Sequence, residues 1–213
     1  MLNFLIAPIN NLLIFLYGIS GQNLGLAIIF LTLIVRGVLV PITIPSLRSA
    51  KKLQELKPHL DKLKQKHKDK QKLQLATLEL YKQHGINPAA GCLPQIAQLL
   101  VLIALYQVFI NFINGGQYNG QSLNLNFLWL DLGKADPYYI LPVLMGASMI
   151  LTMKMTSTTT DPQQAKIMMF MNIAFIFLFA WLPAGLLLYI TLSNLLSIVQ
   201  QLLVRRRISA AAR

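Results

Sequence analysis

Between Leu24 and Pro45 the chain reads LGLAIIFLTLIVRGVLVPITIP, an apolar run long enough to cross a bilayer and interrupted by one charge, Arg36. Arg36 lies twelve residues beyond Leu24. At about 1.5 Å per residue, that is roughly 18 Å into a hydrocarbon layer of about 30 Å. Insertion scales put Arg at the centre of a spanning helix at a cost of about 2.5–3.5 kcal/mol. A fold that keeps it there must offer the guanidinium water or an anionic partner inside the protein. The alternative is that Pro41 and Pro45 end the helix early and Arg36 snorkels to the interface.

The rest of the chain points the same way. It has 213 residues, 55% hydrophobic and 12% charged, with a mean hydropathy of +0.55. A soluble domain of that length would carry about 25% charge, so we read a polytopic membrane protein. The net charge of +12 is clustered: eleven of the 19 Lys and Arg fall between Arg48 and Lys82, and four between Arg205 and Arg213. The single cysteine, Cys92, excludes an internal disulfide. Positions 1–35 contain no Lys or Arg, so the positive region of a secretory signal is not expected.

The apolar runs divide the chain into nine segments. Residues 1–20 read as an interfacial amphipathic helix on the outer face, with Leu2, Leu5, Ile6, Ile9, Leu12 and Leu13 at helical spacing. A short extra span is the other reading. Gly18, Ser20 and Gly21 bend it into the first transmembrane helix at 21–47. A cytoplasmic helical hairpin follows at 48–86, then the second span at 87–113 and an extracytoplasmic loop at 114–136. The third span is 137–155 and a cytoplasmic loop covers 156–165. The uncharged stretch within 166–204 is too long for one crossing at about 20 residues each. Leu182-Pro183-Ala184-Gly185 divides it into the fourth and fifth spans, leaving a basic tail at 205–213.

Five crossings place every basic segment on one side. The bias of Lys and Arg toward the cytoplasm then puts the N-terminus outside and the C-terminus inside. Trp129, Tyr138, Tyr139 and Trp181 fall near the outer boundaries, where aromatic rings collect.

In the 48–86 segment, Leu53, Leu56, Leu60 and Leu63 and then Leu73, Ala76, Leu80 and His84 form two apolar stripes. Between them Lys64, Lys66, Lys68 and Lys70 crowd a polar tip, so an antiparallel hairpin is expected, with Pro58 kinking or restarting its first arm. Two readings of the lysines are open: a solvated face near anionic lipid, at about 1 kcal/mol per cation, or a docking point for an acidic or nucleic-acid partner such as a ribosome. The run lacks interleaved aromatics, which argues against base-specific binding.

No carboxylate and no His lies in a predicted span, which weighs against proton-coupled carriers and intramembrane hydrolysis. There is no phosphate-binding loop, and no cofactor or metal is expected. What remains at depth is Arg36 with amides and hydroxyls. Thr32 shares its face one turn earlier, Gln95 and Gln98 share a face of the second span, Thr152 lies near the inner end of the third, and Asn194, Ser193 and Ser197 lie on the fifth. Singly, such residues commonly make helix–helix hydrogen bonds of about 0.6 kcal/mol. Together with Arg36 they could line a wet cleft. Seven of the eight Met lie between Met145 and Met171, either as ordinary packing or as an adaptable surface for many sequences.

Four stretches resemble the YidC family of membrane-protein insertases, the bacterial relatives of the Oxa-type proteins. They are IVRGVLVPIT at 34–43, LYKQHGINPAAGCLPQIAQ at 80–98, WLDLGKADPYYILPVLMG at 129–146 and WLPAGLLLYITLSNLLSIVQQ at 181–201. The resemblance implies an all-α polytopic membrane protein: five transmembrane helices around a hydrophilic groove, closed to the outside, with an N-terminal interfacial helix and a cytoplasmic helical hairpin. It implies a groove carrying Arg36, Thr32, Gln98, Gln95, Thr152 and Asn194. The substrate path would follow the third and fifth core helices, through Met149, Met153, Leu187 and Ile190. Implied partners are nascent membrane proteins and the lipid bilayer, with the ribosome, the signal-recognition-particle receptor and the Sec translocon as candidates at the hairpin. Relatives in Gram-negative bacteria add an N-terminal span and a large periplasmic domain, and many Gram-positive ones a lipid-modified cysteine, for which Cys92 is in the wrong place. Two rival classes remain open: an anion carrier using Arg36, and an assembly factor that holds membrane proteins without inserting them.

Overall fold

A computed structural model describes residues 3–66, 69–86, 93–115, 117–118, 121–156 and 162–211. Its helices are α1 (Asn3–Ile19), α2 (Leu24–Glu55), α3 (Lys57–Lys66), α4 (Lys70–Gln83), α5 (Leu93–Gly115), α6 (Ile140–Thr156), α7 (Pro162–Phe179) and α8 (Ala184–Ala211). The chain is mostly helical. It is not wholly so: Gln117–Tyr118 (β1) pairs antiparallel with Gln121–Ser122 (β2), and Asn126–Phe127 (β3) with Leu130–Asp131 (β4). These two-residue ladders pair part of the backbone of the segment between α5 and α6.

Among the described residues, three helices are long and apolar enough to cross a membrane: Leu24–Glu55, Ile96–Gly115 and Ala184–Val204. The apolar helices Ile140–Met155 and Met169–Phe179 are shorter, as the polar residues before Met169 foreshadow.

The turn from α1 to α2 follows its glycine. Gly21 takes a left-handed φ of 63°, while the N–H groups of Ser20 and Gln22 bond to the carbonyls of Leu16 and Tyr17. Asn23 then caps α2, its Oδ1 accepting from Leu26 N at 3.0 Å. Pro41 and Pro45 do not end this helix, which runs unbroken to Glu55, past the expected boundary at 47. Near the prolines, the hydroxyls of Thr43 and Ser46 donate to the carbonyls of Val40 and Ile42 within the same helix. The break comes at Leu56, and Pro58 sits in the first turn of α3, where its missing N–H is harmless. The hairpin is therefore shorter than read from sequence. Leu53 and Leu56 belong to the end of α2, packing with Ile86 and Tyr81 under the α3–α4 pair.

α2 is central, packing on α1, α5 and α8. α8 packs on α2, α5 and α6, and α7 packs on α6. One continuous core joins Leu13, Tyr17, Leu24, Leu31, Val108 and Leu187. At its outer end the loop is strapped down. The carbonyls of Lys134 and Leu132 accept from Ala184 and Gly185, the otherwise unpaired N–H groups of α8. The Tyr17 hydroxyl accepts from Asn124 N. Asp136, buried, takes Tyr138 N on Oδ1 and Leu141 N on Oδ2 at 2.7 Å, capping α6. Asp136→Ala leaves the buried Leu141 N–H without its acceptor and removes that of Tyr138, and should lower the stability of the purified protein by about 1–3 kcal/mol, read from its unfolding midpoint in mild detergent.

Beside it, Lys134 Nζ lies 2.8 Å from Asp131 Oδ2. This hydrogen bond holds the Asp131 carboxyl below the usual carboxylate range; burial opposes it, and the Gly133 N–H and the Lys134 charge add to the lowering. The contribution is present above the unfolded pKa and lost as pH falls through the lower folded one. The Asp131 carboxyl carbon, followed by NMR, should titrate below a peptide Asp, and Lys134→Ala should move that midpoint up.

Candidate functional site

Arg36 is buried, 8% exposed, on the face of α2 that meets α8. Burying a guanidinium without a counter-charge costs several kcal/mol, on the order given for single ions in protein interiors. Among the described residues no carboxylate pairs with it, and its Nε has no hydrogen-bond partner. Tyr189 of α8 supplies the nearest chemistry. Its hydroxyl accepts from Gln98 Nε2 at 3.0 Å and has the Ser193 hydroxyl and the Arg36 guanidinium as neighbours. α2, α5 and α8 thus each send a polar side chain to one place. The Oε1 atoms of Gln98 and Gln201 and the Oγ1 of Thr191 are buried there or along α8 without a partner.

A charge and several amide and hydroxyl groups with spare hydrogen-bonding capacity are therefore gathered in one place. Buried polar atoms in native proteins are nearly always paired, by protein or by water. This set has the character of a lining that water or a polar guest completes.

The sequence-derived residues separate into three groups. Arg36, Gln98 and Ser193 come together at Tyr189. Thr32 is buried on the same face but spends its hydroxyl on its own helix, donating to Ile28 O at 2.6 Å. Asn194 lies apart, its Nδ2 donating to Ser148 Oγ at 3.3 Å and so tying α8 to α6. Thr152 is half-buried near the inner end of α6, and the Gln95 side chain lies outside the described residues.

Of the residues assigned to the substrate path, Met149 packs partly against the core, and Met153 Sδ accepts from Asn172 of α7. Leu187 and Ile190 are core residues, which removes them from any open surface in this structure. They face inward because α8 is wedged between α2 and α6. Outward apolar side chains lie instead on α6 and α7, among them Val143, Leu144, Phe170, Phe177 and Leu178. At the hairpin, Lys64 is half-buried and Lys66 exposed; Lys68 and the Lys70 side chain lie outside the described residues.

Tyr189 and Gln201 are the residues that sequence reasoning passed over. The signal was present: Tyr189, Ser193, Ser197 and Gln201 recur every four residues along α8, a polar stripe on an apolar helix.

The chain is similar over its length to proteins named membrane protein insertase YidC. That of Wolinella succinogenes is 43% identical over 215 residues, covering 100% of this chain and 39% of the relative. That of Tolumonas auensis is 43% identical over 212 residues, covering 96% of this chain and 37% of the relative. The chain thus spans about two-fifths of the length of the curated relatives it matches. A solved structure described as an active YidC insertase, with its first transmembrane domain resolved, superposes with a TM-score of 0.68 at 27% identity. It covers 92% of this chain and 45% of the other. The model of the family described as 60Kd inner membrane protein matches residues 15–211. That stretch takes in α2, α5 and α8, the helices that bring Arg36, Gln98 and Tyr189 together, and on it the chain belongs to the 60Kd inner membrane protein family.

Proposed function

We propose that the chain is the membrane core of an insertase that moves nascent membrane proteins into the bilayer. The observation that carries this reading is Arg36, buried without an anionic partner beside the Gln98–Tyr189 pair. In this reading α2, α5, α6, α7 and α8 all cross, with the N-terminus outside and the C-terminus in the cytoplasm. α6 and α7, though short, span a bilayer thinned beside them. The polar interior is a hydrophilic groove open to the cytoplasm. Its outer end is held shut by the loop strapped to α6 and α8.

A groove reaching partway across shortens the hydrocarbon path for the polar tail of a cargo. Arg36 supplies positive potential that a low-dielectric surrounding screens poorly, so acidic tail residues are drawn in. The cargo's apolar helix then leaves along the exposed side chains of α6 and α7, with Met149 and Met153 at the edge of that path. Burial of its apolar surface in lipid drives the step. The tip lysines Lys64, Lys66, Lys68 and Lys70 offer a docking point for a negatively charged partner on the inner face.

The test is insertion by the purified chain alone. Proteoliposomes holding it should protect a newly translated single-span protein with an acidic N-terminal tail from added protease, and empty liposomes should not. Binding of the cargo without protection would assign an assembly factor. Uptake of small anions without protection would assign a carrier.

A further inference from the structure

The α3–α4 hairpin carries apolar side chains that its own packing leaves unused. On α4, Leu73, Ala76, Thr77 and Leu80 are partly buried on one side of the helix, and α3 is the helix packed against it. Leu75 and Leu78 point elsewhere and are 68% and 46% exposed. At 3.6 residues per turn, Gln71, Leu75, Leu78 and Lys82 fall within about 60° of one another, with Glu79 and Lys72 at the margin. The surroundings are strongly cationic: Arg48 to Lys82 holds eleven Lys and Arg against four Asp and Glu, a net charge of +7.

We propose that the Leu75–Leu78 face of α4 rests on the anionic surface of the membrane that the chain itself crosses. The two leucines reach the acyl boundary, and Lys72 and Lys82 lie among the lipid phosphates. An apolar patch flanked by lysines is the pattern of an interfacial helix, in which modest burial and charge attraction add. Two leucines fall well short of the roughly 800 Å² per partner of a stable protein interface. Lysines act as point charges suited to a diffuse anionic sheet rather than to a shaped carboxylate or phosphate site. The hairpin continues from α2, a helix apolar and long enough to span, so α4 never leaves the neighbourhood of the bilayer. At such effective concentrations weak contacts suffice. The inference needs only the membrane placement of α2 and is independent of the insertase reading.

The experiment uses the full chain, one copy per nanodisc, with Cys92 replaced by Ser and single cysteines at Leu75→Cys, Leu78→Cys or, as control, Gln83→Cys. Each carries a polarity-sensitive fluorophore. In phosphatidylglycerol-rich discs, labels at 75 and 78 should emit to the blue, reverting at high salt, while the label at 83 stays water-like. In phosphatidylcholine discs all three should be water-like. Without any label, α4 amides should exchange about tenfold more slowly in the anionic discs, and Leu75→Gln with Leu78→Gln should abolish that protection. Water-like emission and unchanged exchange in both lipids would overturn the proposal. So would equal blue shifts in both, which would remove the role of lipid charge. A shift seen only with two copies per disc would assign the face to a second chain and overturn it as well. Loss of cargo insertion with these signals intact would count against the proposed function and not against this face.

Discussion

Replacing Arg36 by alanine should cut insertion of a single-span cargo with an acidic N-terminal tail about tenfold or more, the loss expected when a charge-assisted contact worth about 1.5–3 kcal/mol disappears. Cargo whose tail has no acidic residues should be affected less, since it needs only the apolar path. Arg36→Lys should keep part of the activity: charge persists, but the planar fork that reaches two acceptors does not. Stability should move the other way. Arg36 has an unpaired Nε and no carboxylate beside it among the described residues, so its burial opposes folding. Arg36→Met keeps the volume of the stem, removes the charge and should unfold at the same or a higher temperature in detergent. A protein retains such a residue for what it does, which makes the divergence between activity and stability the informative result. Equal insertion by the wild type and Arg36→Ala would remove Arg36 from the mechanism.

Gly185→Leu should damage the fold severely. A Cβ at Gly185 would collide with the Phe109 ring of α5 and press on Ile28 of α2. The start of α8 approaches both helices closely because no side chain intervenes there. Gly185 N also donates to Leu132 O, so the same residue anchors the outer strap. Overpacking in a dense core costs about 1–3 kcal/mol, and here the obstacle is a rigid ring rather than the end of a flexible chain, so about 3 kcal/mol or more is expected. Phe109→Ala alone should also destabilise, by about 3–5 kcal/mol. Combined with Gly185→Leu it should recover part of the loss, giving a favourable coupling between the two sites in unfolding measurements. Strict additivity would show that Phe109 is not the obstacle.

Much of the architecture was legible in the chain. Apolar runs, the Gly21 turn, the Pro183 break and the split of the basic segment into two arms all reflect local rules: hydrocarbon thickness, backbone freedom and helical period. Where those rules erred, tertiary context had intervened. The sequence reads as a first span to 47, with an early end at Pro41 or Pro45 as the alternative, yet α2 continues to Glu55, held there by Gln54 Nε2 donating to Met155 O of α6 and by Leu53 and Leu56 beside the hairpin. The loop after α5, read from sequence only as a connection, forms short ladders, and the carbonyls of Leu132 and Lys134 just beyond them cap α8.

The candidate site divides in the same manner. Arg36 announced itself in one dimension, because a charge inside an apolar run is anomalous wherever its neighbours lie. Its surroundings could not be read that way. Thr32 and Asn194 looked equivalent to Gln98, but one bonds to its own helix and the other to Ser148. Leu187 and Ile190 lie on a helix that sequence places in the membrane, and only the wedging of α8 between α2 and α6 turns them inward. Hydropathy reports how much of a segment avoids water. It does not report whether lipid or another helix satisfies that preference, since both are equally apolar, so which side chains meet Arg36 and which meet the bilayer was decided by packing alone.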